Sequence, residues 1–128
     1  MNLLGVAYGV SAFAPLMVEQ GVGHIVNTAS VAGLVAAPFM GPYNASKHAV
    51  VAFSEAISYE LASKGIRVTS VNPGFASTEG FPQDGVPSFL VMDAEKVARA
   101  IVDAVAKDAG PEVYVPRSAA PLQLFGGL

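Results

Sequence analysis

The stretch "YNASKHAVVAFSEAISYELASKGIRVTSVNPGFAST", residues 43–78, decides the fold. Its first part repeats apolar side chains at three- and four-residue steps, which predicts an amphipathic helix over residues 43–63. Gly65 stands where a helix C-cap glycine belongs. The β-branched run "IRVTSV", residues 66–71, then predicts a buried strand, which "NPG" at residues 72–74 is expected to stop.

The sequence on both sides continues this alternation. Before the stretch, a helix over residues 2–19 is predicted to pack closely on more than one side, and a strand is predicted over 24–29. After it, Asp93 is the predicted N-cap of a helix that ends near Lys107, and residues 112–116 form the next strand. About three strands alternating with three long helices indicate an α/β fold with a parallel sheet and right-handed crossovers.

The composition excludes several classes of protein. The 128 residues suffice for one domain, but only 13% are charged, about half of the roughly 25% in typical soluble domains. The net charge of −3 and the lack of a basic cluster argue against nucleic-acid binding. The chain has no cysteine, and His24 and His48 lie far apart without nearby carboxylates, so no metal site is expected. No unbroken apolar run reaches the length of a membrane span and no signal peptide is predicted, which favours a cytoplasmic location.

Three residues of the stretch 30–50 could move a proton. Tyr43 and Lys47 are four residues apart on one face of the predicted helix start. An ammonium group stabilises a nearby phenolate and lowers the pKa of the phenol, which can then exchange a proton with an alcohol or a carbonyl. Ser30 follows a strand, where open parallel sheets place their ligands. The alternative is an exposed tyrosine and lysine on a solvated helix start, with a serine in an ordinary turn.

The chain resembles the classical short-chain dehydrogenase/reductase family almost throughout its length. The Ser-to-Tyr spacing, the Tyr-to-Lys spacing and "VNPG" fall in the order of that family. The resemblance rests on these stretches: "NLLG" at 2–5, "GHIVNTASVAG" at 23–33, the stretch 43–78 quoted above and "EKVARAIVDAV" at 95–105. It implies the C-terminal half of a Rossmann-like doubly wound parallel sheet. It also implies an NAD(P)-dependent oxidoreductase that interconverts an alcohol and a carbonyl.

The resemblance implies a role for each catalytic candidate. Tyr43 matches the acid/base residue of the family, and Lys47 matches its pKa-lowering partner, which also binds the nicotinamide ribose. Ser30 matches the residue that orients the substrate oxygen. Asn2 matches an asparagine that holds a proton-relay water beside the lysine, although a frayed helix cap at the chain end is the alternative.

The implied cofactor is NAD or NADP, with Tyr43 and Lys47 among its contacts. Pro73 and Gly74 match the turn beside the nicotinamide, and Thr78 matches a threonine that contacts the carboxamide. In the alternative interpretation, the proline and glycine only stop a strand and the threonine caps a short helix.

The sequence departs from the family where the phosphates of the cofactor should bind. No TGxxxGxG turn follows a strand and opens a helix, because "GVAYG" at 5–9 lies inside a predicted helix. The acidic or basic residue that selects between NAD and NADP in the family is also absent from this sequence. By resemblance, residues 1–128 are a partial NAD(P)-binding domain that lacks the N-terminal Gly-rich half, so the activity of the chain alone is doubtful.

Two other functions compete with the enzyme: a non-catalytic dimerising module and an incomplete gene product. The first two helices resemble those that form the family's dimer interface, so the complete enzyme is expected to be a homo-oligomer. The expected substrate is a small alcohol or ketone. Residues 75–92 are predicted to be a long loop where the family closes over its substrate. Its large apolar residues indicate an apolar substrate, unless they pack on the core: Phe75, Phe81, Phe89, Leu90 and Met92.

Overall fold

A computed structural model describes residues 2–80 and 83–122 and confirms the α/β fold. Three long helices alternate with the three strands of a parallel sheet, and two further short strands pair with each other. The elements are α1 (Asn2–Gln20), β1 (Gly23–Thr28), α2 (Gly41–Ala62), β2 (Ile66–Pro73), β3 (Phe75–Ser77), β4 (Val91–Asp93), α3 (Ala94–Ala106) and β5 (Glu112–Val115).

The main sheet has the strand order β1-β2-β5, with β2 in the centre. All neighbours are parallel, and Asn27 of β1 lies beside Ser70 of β2. Because alternate side chains of a strand point to opposite faces, the sheet has two distinct sides. On one side Asn27 Nδ2 donates to Ser54 Oγ of α2 at 2.9 Å, and on the other Val71 packs under α3. The sheet therefore lies between α2 and α3.

The described chain buries apolar residues on both sides of the sheet, and one cluster of them lies under α3. Val71, Val115 and Met92 are buried there against partly buried side chains of α3 such as Ile101. The sequence analysis left Met92 as a candidate substrate contact. Its burial in this core supports the other alternative, that the residue packs on the core, because β4 turns the side chain toward Val71 of β2.

The strand β2 runs further than predicted. Asn72 and Pro73 belong to it and pair with Tyr114 and Val115 of β5, so "NPG" does not stop the strand at residue 71. Proline has no N–H to give to the ladder. The ladder continues because the N–H of Gly74, one residue later, donates to the carbonyl of Val115 at 2.8 Å.

The segment 75–92 is more regular than the predicted loop. Its two ends form the short parallel strands β3 and β4, which pair Phe75 with Val91 and Ser77 with Asp93. A 3₁₀ turn at Ser88–Leu90 leads into β4. Three-residue strands give too few alternating positions for a sequence pattern to reveal them, which is why the prediction missed this pair.

The helix α1 is less packed than predicted. Ala14 is its one buried residue among those described, and a Cβ atom added to Gly5 or Gly9 would meet nothing within 4 Å. The prediction of close packing on more than one side is therefore wrong within this chain. Four large apolar side chains of α1 are exposed: Leu4, Tyr8, Phe13 and Leu16.

By length and mean hydropathy, 1.3, α1 would also be long and apolar enough to cross a membrane. Core helices of soluble proteins pass the same test, but they are mostly buried. Of the α1 window, only 6% is buried within this chain.

The helix ends follow the sequence signals closely. α2 ends at Ala62, and Gly65 adopts a left-handed backbone with φ of 77°, as a C-cap glycine does. A Cβ atom there would collide with the carbonyl oxygen of Gly21, so only glycine fits. Asp93 precedes α3 as predicted, although its side chain makes no capping hydrogen bond.

Candidate active site

The three catalytic candidates come together at the carboxyl edge of the main sheet. Ser30 lies two residues after the end of β1, while Tyr43 and Lys47 occupy the first two turns of α2. The end of β2 reaches the same edge, and the carbonyl of Pro73 lies within 3.5 Å of Ser30 Oγ. Ligands of open parallel sheets bind at this edge.

Ser30 is almost completely buried, with 8% of its surface exposed. Its Oγ accepts a hydrogen bond from the N–H of Ala32 at 3.1 Å and so caps the 3₁₀ turn that follows β1. The hydroxyl itself donates to the carbonyl of Pro73 at 3.5 Å, a long contact. Because that bond is weak, the hydroxyl can turn to a better acceptor at little cost.

Lys47 lies over the ring of Tyr43, with Nζ 5.9 Å from the ring centroid. This places the positive charge of the ammonium beside the face of the aromatic ring. Lys47 Nζ also donates to the carbonyl of Thr28 at 3.4 Å. Burial lowers the pKa of Lys47, because desolvation disfavours the charged ammonium. Tyr43 remains 37% exposed.

Asn2 contacts the same part of α2. Its Nδ2 donates to Ser46 Oγ at 3.2 Å, and Ser46 Oγ donates to the carbonyl of Tyr43 at 2.8 Å. The start of α1 is thereby tied to the turn of α2 that carries the acid/base candidate. The resemblance places Asn2 beside Lys47. In the structure Asn2 instead contacts Ser46, the residue before Lys47.

Of the three remaining cofactor candidates, Pro73 ends β2, Gly74 follows it and Thr78 comes directly after β3. Pro73 is buried, Gly74 is half-buried and Thr78 is exposed. The resemblance assigns these three residues and Lys47 to the nicotinamide end of a dinucleotide. The ammonium of Lys47 has three N–H donors, of which the carbonyl of Thr28 takes one, so donors remain for a ribose hydroxyl.

Asn44 is a site residue that the sequence analysis missed. Its side chain is buried and makes three hydrogen bonds to the backbone of the loop between Ser30 and Tyr43. Nδ2 donates to the carbonyls of Ala32 at 2.9 Å and Val35 at 3.0 Å, and Oδ1 accepts from the N–H of Ala37 at 3.0 Å. An asparagine beside the tyrosine in a Gly/Pro-containing loop was the available signal, because this residue type bonds to turn backbones.

Gly33 is a second missed residue. A Cβ atom there would lie 2.7 Å from the carbonyl oxygen of Lys47, closer than real Cβ atoms approach backbone. The absence of a side chain therefore lets the loop after Ser30 pack directly on the α2 backbone at Lys47. No periodic pattern marks such a position, because the requirement comes from a contact between distant segments.

Several large apolar side chains are exposed in the two segments that follow β1 and β2. Phe75, Phe89 and Leu90 of the segment 75–92 are exposed, as are two residues that the sequence analysis did not consider, Phe39 and Met40. Phe81 lies outside the described residues. Within the described ranges, no three His, Cys, Asp or Glu side chains are grouped to hold a metal ion.

The fold and the site define an α/β protein with a serine, a tyrosine and a lysine at the carboxyl edge of a parallel sheet. The family model for short chain dehydrogenases matches residues 1–84. The chain belongs to the short-chain dehydrogenase family.

Curated relatives support this assignment. Oxidoreductase BOA17 of Botryotinia fuckeliana is 31% identical over 123 residues, which cover 96% of this chain and 45% of the relative. The 3-oxoacyl-[acyl-carrier-protein] reductase of Synechocystis is 40% identical over 79 residues, which cover 62% of this chain and 32% of the relative. The chain thus spans about a third to a half of the length of these relatives.

Solved structures show the same fold. A short chain dehydrogenase from Burkholderia cenocepacia in complex with NADP superposes with a TM-score of 0.82 at 29% identity, covering 96% of this chain and 51% of the other. A 4-hydroxyisoleucine dehydrogenase complexed with NADH superposes with a TM-score of 0.75 at 27% identity, covering 88% of this chain and 53% of the other.

Proposed function

We propose that this chain carries the proton-transfer site of an NAD(P)-dependent oxidoreductase that interconverts an alcohol and a carbonyl. The observation that carries the proposal is the convergence of Ser30, Tyr43 and Lys47 at the carboxyl edge of the sheet, with Lys47 Nζ 5.9 Å from the Tyr43 ring centroid. Membership of a family of dehydrogenases supports the class of reaction.

Each residue has a separate task in carbonyl reduction. Ser30 Oγ leaves its long bond to Pro73 and donates to the substrate oxygen, which fixes the position of that oxygen. The hydroxyl of Tyr43 gives its proton to the same oxygen as the alcohol forms. The positive charge of Lys47 stabilises the phenolate that remains. Asn2, through Ser46, holds this turn of α2 and helps return a proton from solvent to the site.

NAD(P)(H), when bound, supplies or accepts the hydride at the substrate carbon. One hydride and one proton then convert the carbonyl to the alcohol, and the reverse reaction returns both. Pro73, Gly74 and Thr78 are the proposed contacts for the nicotinamide end, together with Lys47 and Tyr43. Relatives in the family are complexed with NADP in one case and NADH in another, which supports a nicotinamide cofactor of either type.

Turnover by the purified chain tests the proposal. Reduction of a ketone with NADH or NADPH at millimolar concentration should be slow but measurable by loss of nicotinamide absorbance. Tyr43→Phe should reduce the rate at least about a hundredfold, because the proton donor is lost. Tyr59→Phe is the matched control, since its hydroxyl contacts only Glu55 on the exposed part of α2. Equal rates in the two variants would reject the assignment of Tyr43.

We also propose that these 128 residues hold the cofactor weakly, because they contain no Gly-rich turn for the phosphates. Calorimetric titration with NADH and NADPH should give a Kd near or above about 1 mM, which corresponds to roughly 4 kcal/mol. A Kd in the micromolar range for the wild-type chain would contradict this part of the proposal.

A non-catalytic dimerising module is the second candidate function, favoured by the exposed apolar side chains of α1. In that case the chain would pair through α1 and show no turnover with any ketone at saturating cofactor. Turnover that depends on Tyr43 would exclude this candidate, whatever the oligomeric state.

A further inference from the structure

A cavity of about 510 Å³ lies between α3 and β5, and its lining does not include Ser30, Tyr43 or Lys47. Four of its lining residues are basic: Lys96, Arg99, Lys107 and Arg117. The whole chain has only seven lysines and arginines and a net charge of −3, so more than half of its cations line this one cavity. Such a concentration of cations in an acidic chain creates a local positive potential.

Helix α3 brings charged residues to the cavity along one stripe. Lys96, Arg99 and Asp103 are three and then four residues apart, and Lys107 follows after four more, which is the spacing of neighbours on one helix face. With a rise of about 1.5 Å per residue, the stripe extends for about 16 Å. Among the described residues, Asp103 is the one carboxylate that lines the cavity. The lining therefore carries a net positive charge.

The cations of the cavity retain capacity for a further anion. Within residues 2–80 and 83–122, no ion pair or side-chain hydrogen bond engages Lys96 or Arg117. Arg99 donates from Nε and Nη2 to one carboxylate oxygen of Glu95, at 3.2 and 2.6 Å, and its guanidinium has further N–H donors. Because exposed ion pairs of this kind stabilise a helix only slightly, a ligand anion can compete for Arg99.

The two unpaired cations lie toward the same end of the cavity. Val97, in the first turn of α3, packs against the apolar cluster that contains Val115 of β5. Lys96 is the neighbour of Val97 in the chain, and Arg117 follows Val115 by two residues. The end of the cavity where α3 begins and β5 ends is therefore where an anionic group finds unpaired cations.

Apolar side chains line the rest of the cavity. Val113 and Val115 come from β5, and Ala100 and Ala104 come from α3. Cavities of about 300–1,000 Å³ that combine an apolar lining with a few charged groups are typical of small-molecule sites. An inorganic anion would leave the apolar part of this cavity unused, and an uncharged apolar molecule would leave the cations unused.

We propose that this cavity binds a small organic anion, a carboxylate or phosphate group on a hydrocarbon body, separately from the proton-transfer site. Lys96, Arg99 and Arg117 hold the anionic group, since ammonium and guanidinium groups donate charge-assisted hydrogen bonds to carboxylate and phosphate oxygens. The hydrocarbon part packs on Val113 and Val115 and is removed from water. This site does not depend on the proposed oxidoreductase reaction.

Titration of the full chain with octanoate, followed by proton–nitrogen correlation NMR, tests the site. Backbone resonances within residues 96–117 should shift, and octanamide, the uncharged analogue of equal length, should bind about fivefold more weakly or less. Each methylene removed from octanoate should weaken binding by about threefold to fourfold, because less hydrocarbon is buried. Octyl phosphate distinguishes the two anionic groups: tighter binding than octanoate assigns the site to phosphate esters, and weaker binding assigns it to carboxylates.

Charge-removing variants of exposed residues locate the anionic group. Lys96→Gln and Arg117→Gln should each weaken octanoate binding by about threefold to fivefold. Lys64→Gln is the matched control, because Lys64 is an exposed lysine after α2 that does not line the cavity. Tyr43→Phe should also leave octanoate affinity unchanged.

Three results would overturn the site: equal affinity for octanoate and octanamide, no shifts within residues 96–117, or equal effects of Arg117→Gln and Lys64→Gln. Weaker binding of octanoate by Tyr43→Phe would place this anion in the candidate active site and would also overturn the proposal. A change of oligomeric state in Arg117→Gln, without octanoate binding by the wild-type chain, would assign these cations to an interface between chains instead.

Discussion

At the residue scale, the site depends on side chains that the loop between Ser30 and Tyr43 brings together. Ser30, Tyr43 and Lys47 could be named from their spacing and from the family resemblance. Asn44 and Gly33 could not be named in this way, because their importance lies in contacts across the loop. Asn44 makes three hydrogen bonds to the loop backbone, and Gly33 allows a close approach of the loop to the backbone of α2. For Met92 the sequence left two alternatives open, a substrate contact and packing on the core, and the structure places the residue in the core.

Replacement of Asn44 by alanine should destabilise the loop more than the rest of the chain. Three backbone groups lose their buried partner, so the free energy of unfolding should fall by about 2 kcal/mol. Hydrogen exchange measured by mass spectrometry should show faster exchange in residues 31–40. Peptides from α3, which Asn44 does not contact, provide the internal control. Uniformly faster exchange in both regions would contradict a local role for Asn44.

Lys47→Met should separate activity from stability. Burial lowers the pKa of Lys47, so between that pKa and the ordinary value of 10.5 the unfolded chain binds more protons than the folded one. The free energy of unfolding therefore rises with pH in that window, and the cost of the charged lysine is fully present below the pKa of the folded state.

Removing this charge should leave the stability at pH 7 no lower than in the wild type, while turnover falls at least about a hundredfold. Lys64→Met, which removes an exposed lysine just after α2, is the control for both measurements. Urea unfolding and NAD(P)H consumption give the two values. A clear loss of stability in Lys47→Met would show that the lysine supports the fold instead.

At the element scale, the sequence predicted the long elements well and the short ones poorly. Helices α2 and α3 and strands β1 and β5 were placed to within about two residues, because their apolar periodicity and terminal signals agree. The end of β2 was misplaced because the strand pairing continues past Pro73, where the N–H of Gly74 donates to the carbonyl of Val115. Strands β3 and β4 are stabilised by pairing with each other, which local sequence does not reveal.

A hydrogen bond between His24 of β1 and Thr69 of β2 predicts that the stability of the fold depends on pH. Thr69 Oγ1 donates to the carbonyl of Gly110 at 3.0 Å, so it accepts from His24 Nε2 at 2.8 Å. The pKa of His24 is lowered from its ordinary value of 6.5. Burial is the larger cause and the positive charge of Arg67 the smaller one, while the negative charge of Asp108 acts to raise the pKa. As the pH falls through 6.5, the unfolded chain takes up a proton that the folded chain resists, so stability is lost.

His24→Gln keeps a donor for Thr69 and removes this titration. Urea unfolding at two pH values, one on each side of 6.5, should show a smaller loss of stability at the lower pH in the variant than in the wild type. Equal losses in the two proteins would show that His24 does not contribute to the pH dependence.

At the scale of the whole molecule, the chain exposes more surface than its mass requires. Its accessible surface is 7970 Å² for 13.1 kDa, whereas a compact monomer of this mass exposes about 6,400 Å². Part of the excess is apolar and lies on α1, and among the strands in residues 2–80 and 83–122, β1 is an edge strand of the main sheet. Such surfaces favour association with another chain.

The chain should therefore form dimers or larger species at micromolar concentration, as measured by light scattering after gel filtration. Tyr8→Glu, on the exposed side of α1, should shift the population toward monomer. Val102→Glu, an equally exposed position on α3 at the other face of the sheet, should not. A wild-type chain that is monomeric throughout this range would contradict the prediction.

Transfer of isotope from cofactor to substrate is the most direct test of the central claim, that Tyr43 provides the proton for a dehydrogenase reaction. The chain is incubated with an apolar ketone and NADPH or NADH deuterated at the transferring position, and the alcohol is analysed by mass spectrometry. The account predicts deuterated alcohol with the wild-type chain and with Tyr59→Phe, and at least about a hundredfold less with Tyr43→Phe. Labelled alcohol formed equally by Tyr43→Phe, or none formed by the folded wild-type chain at saturating cofactor, would contradict it.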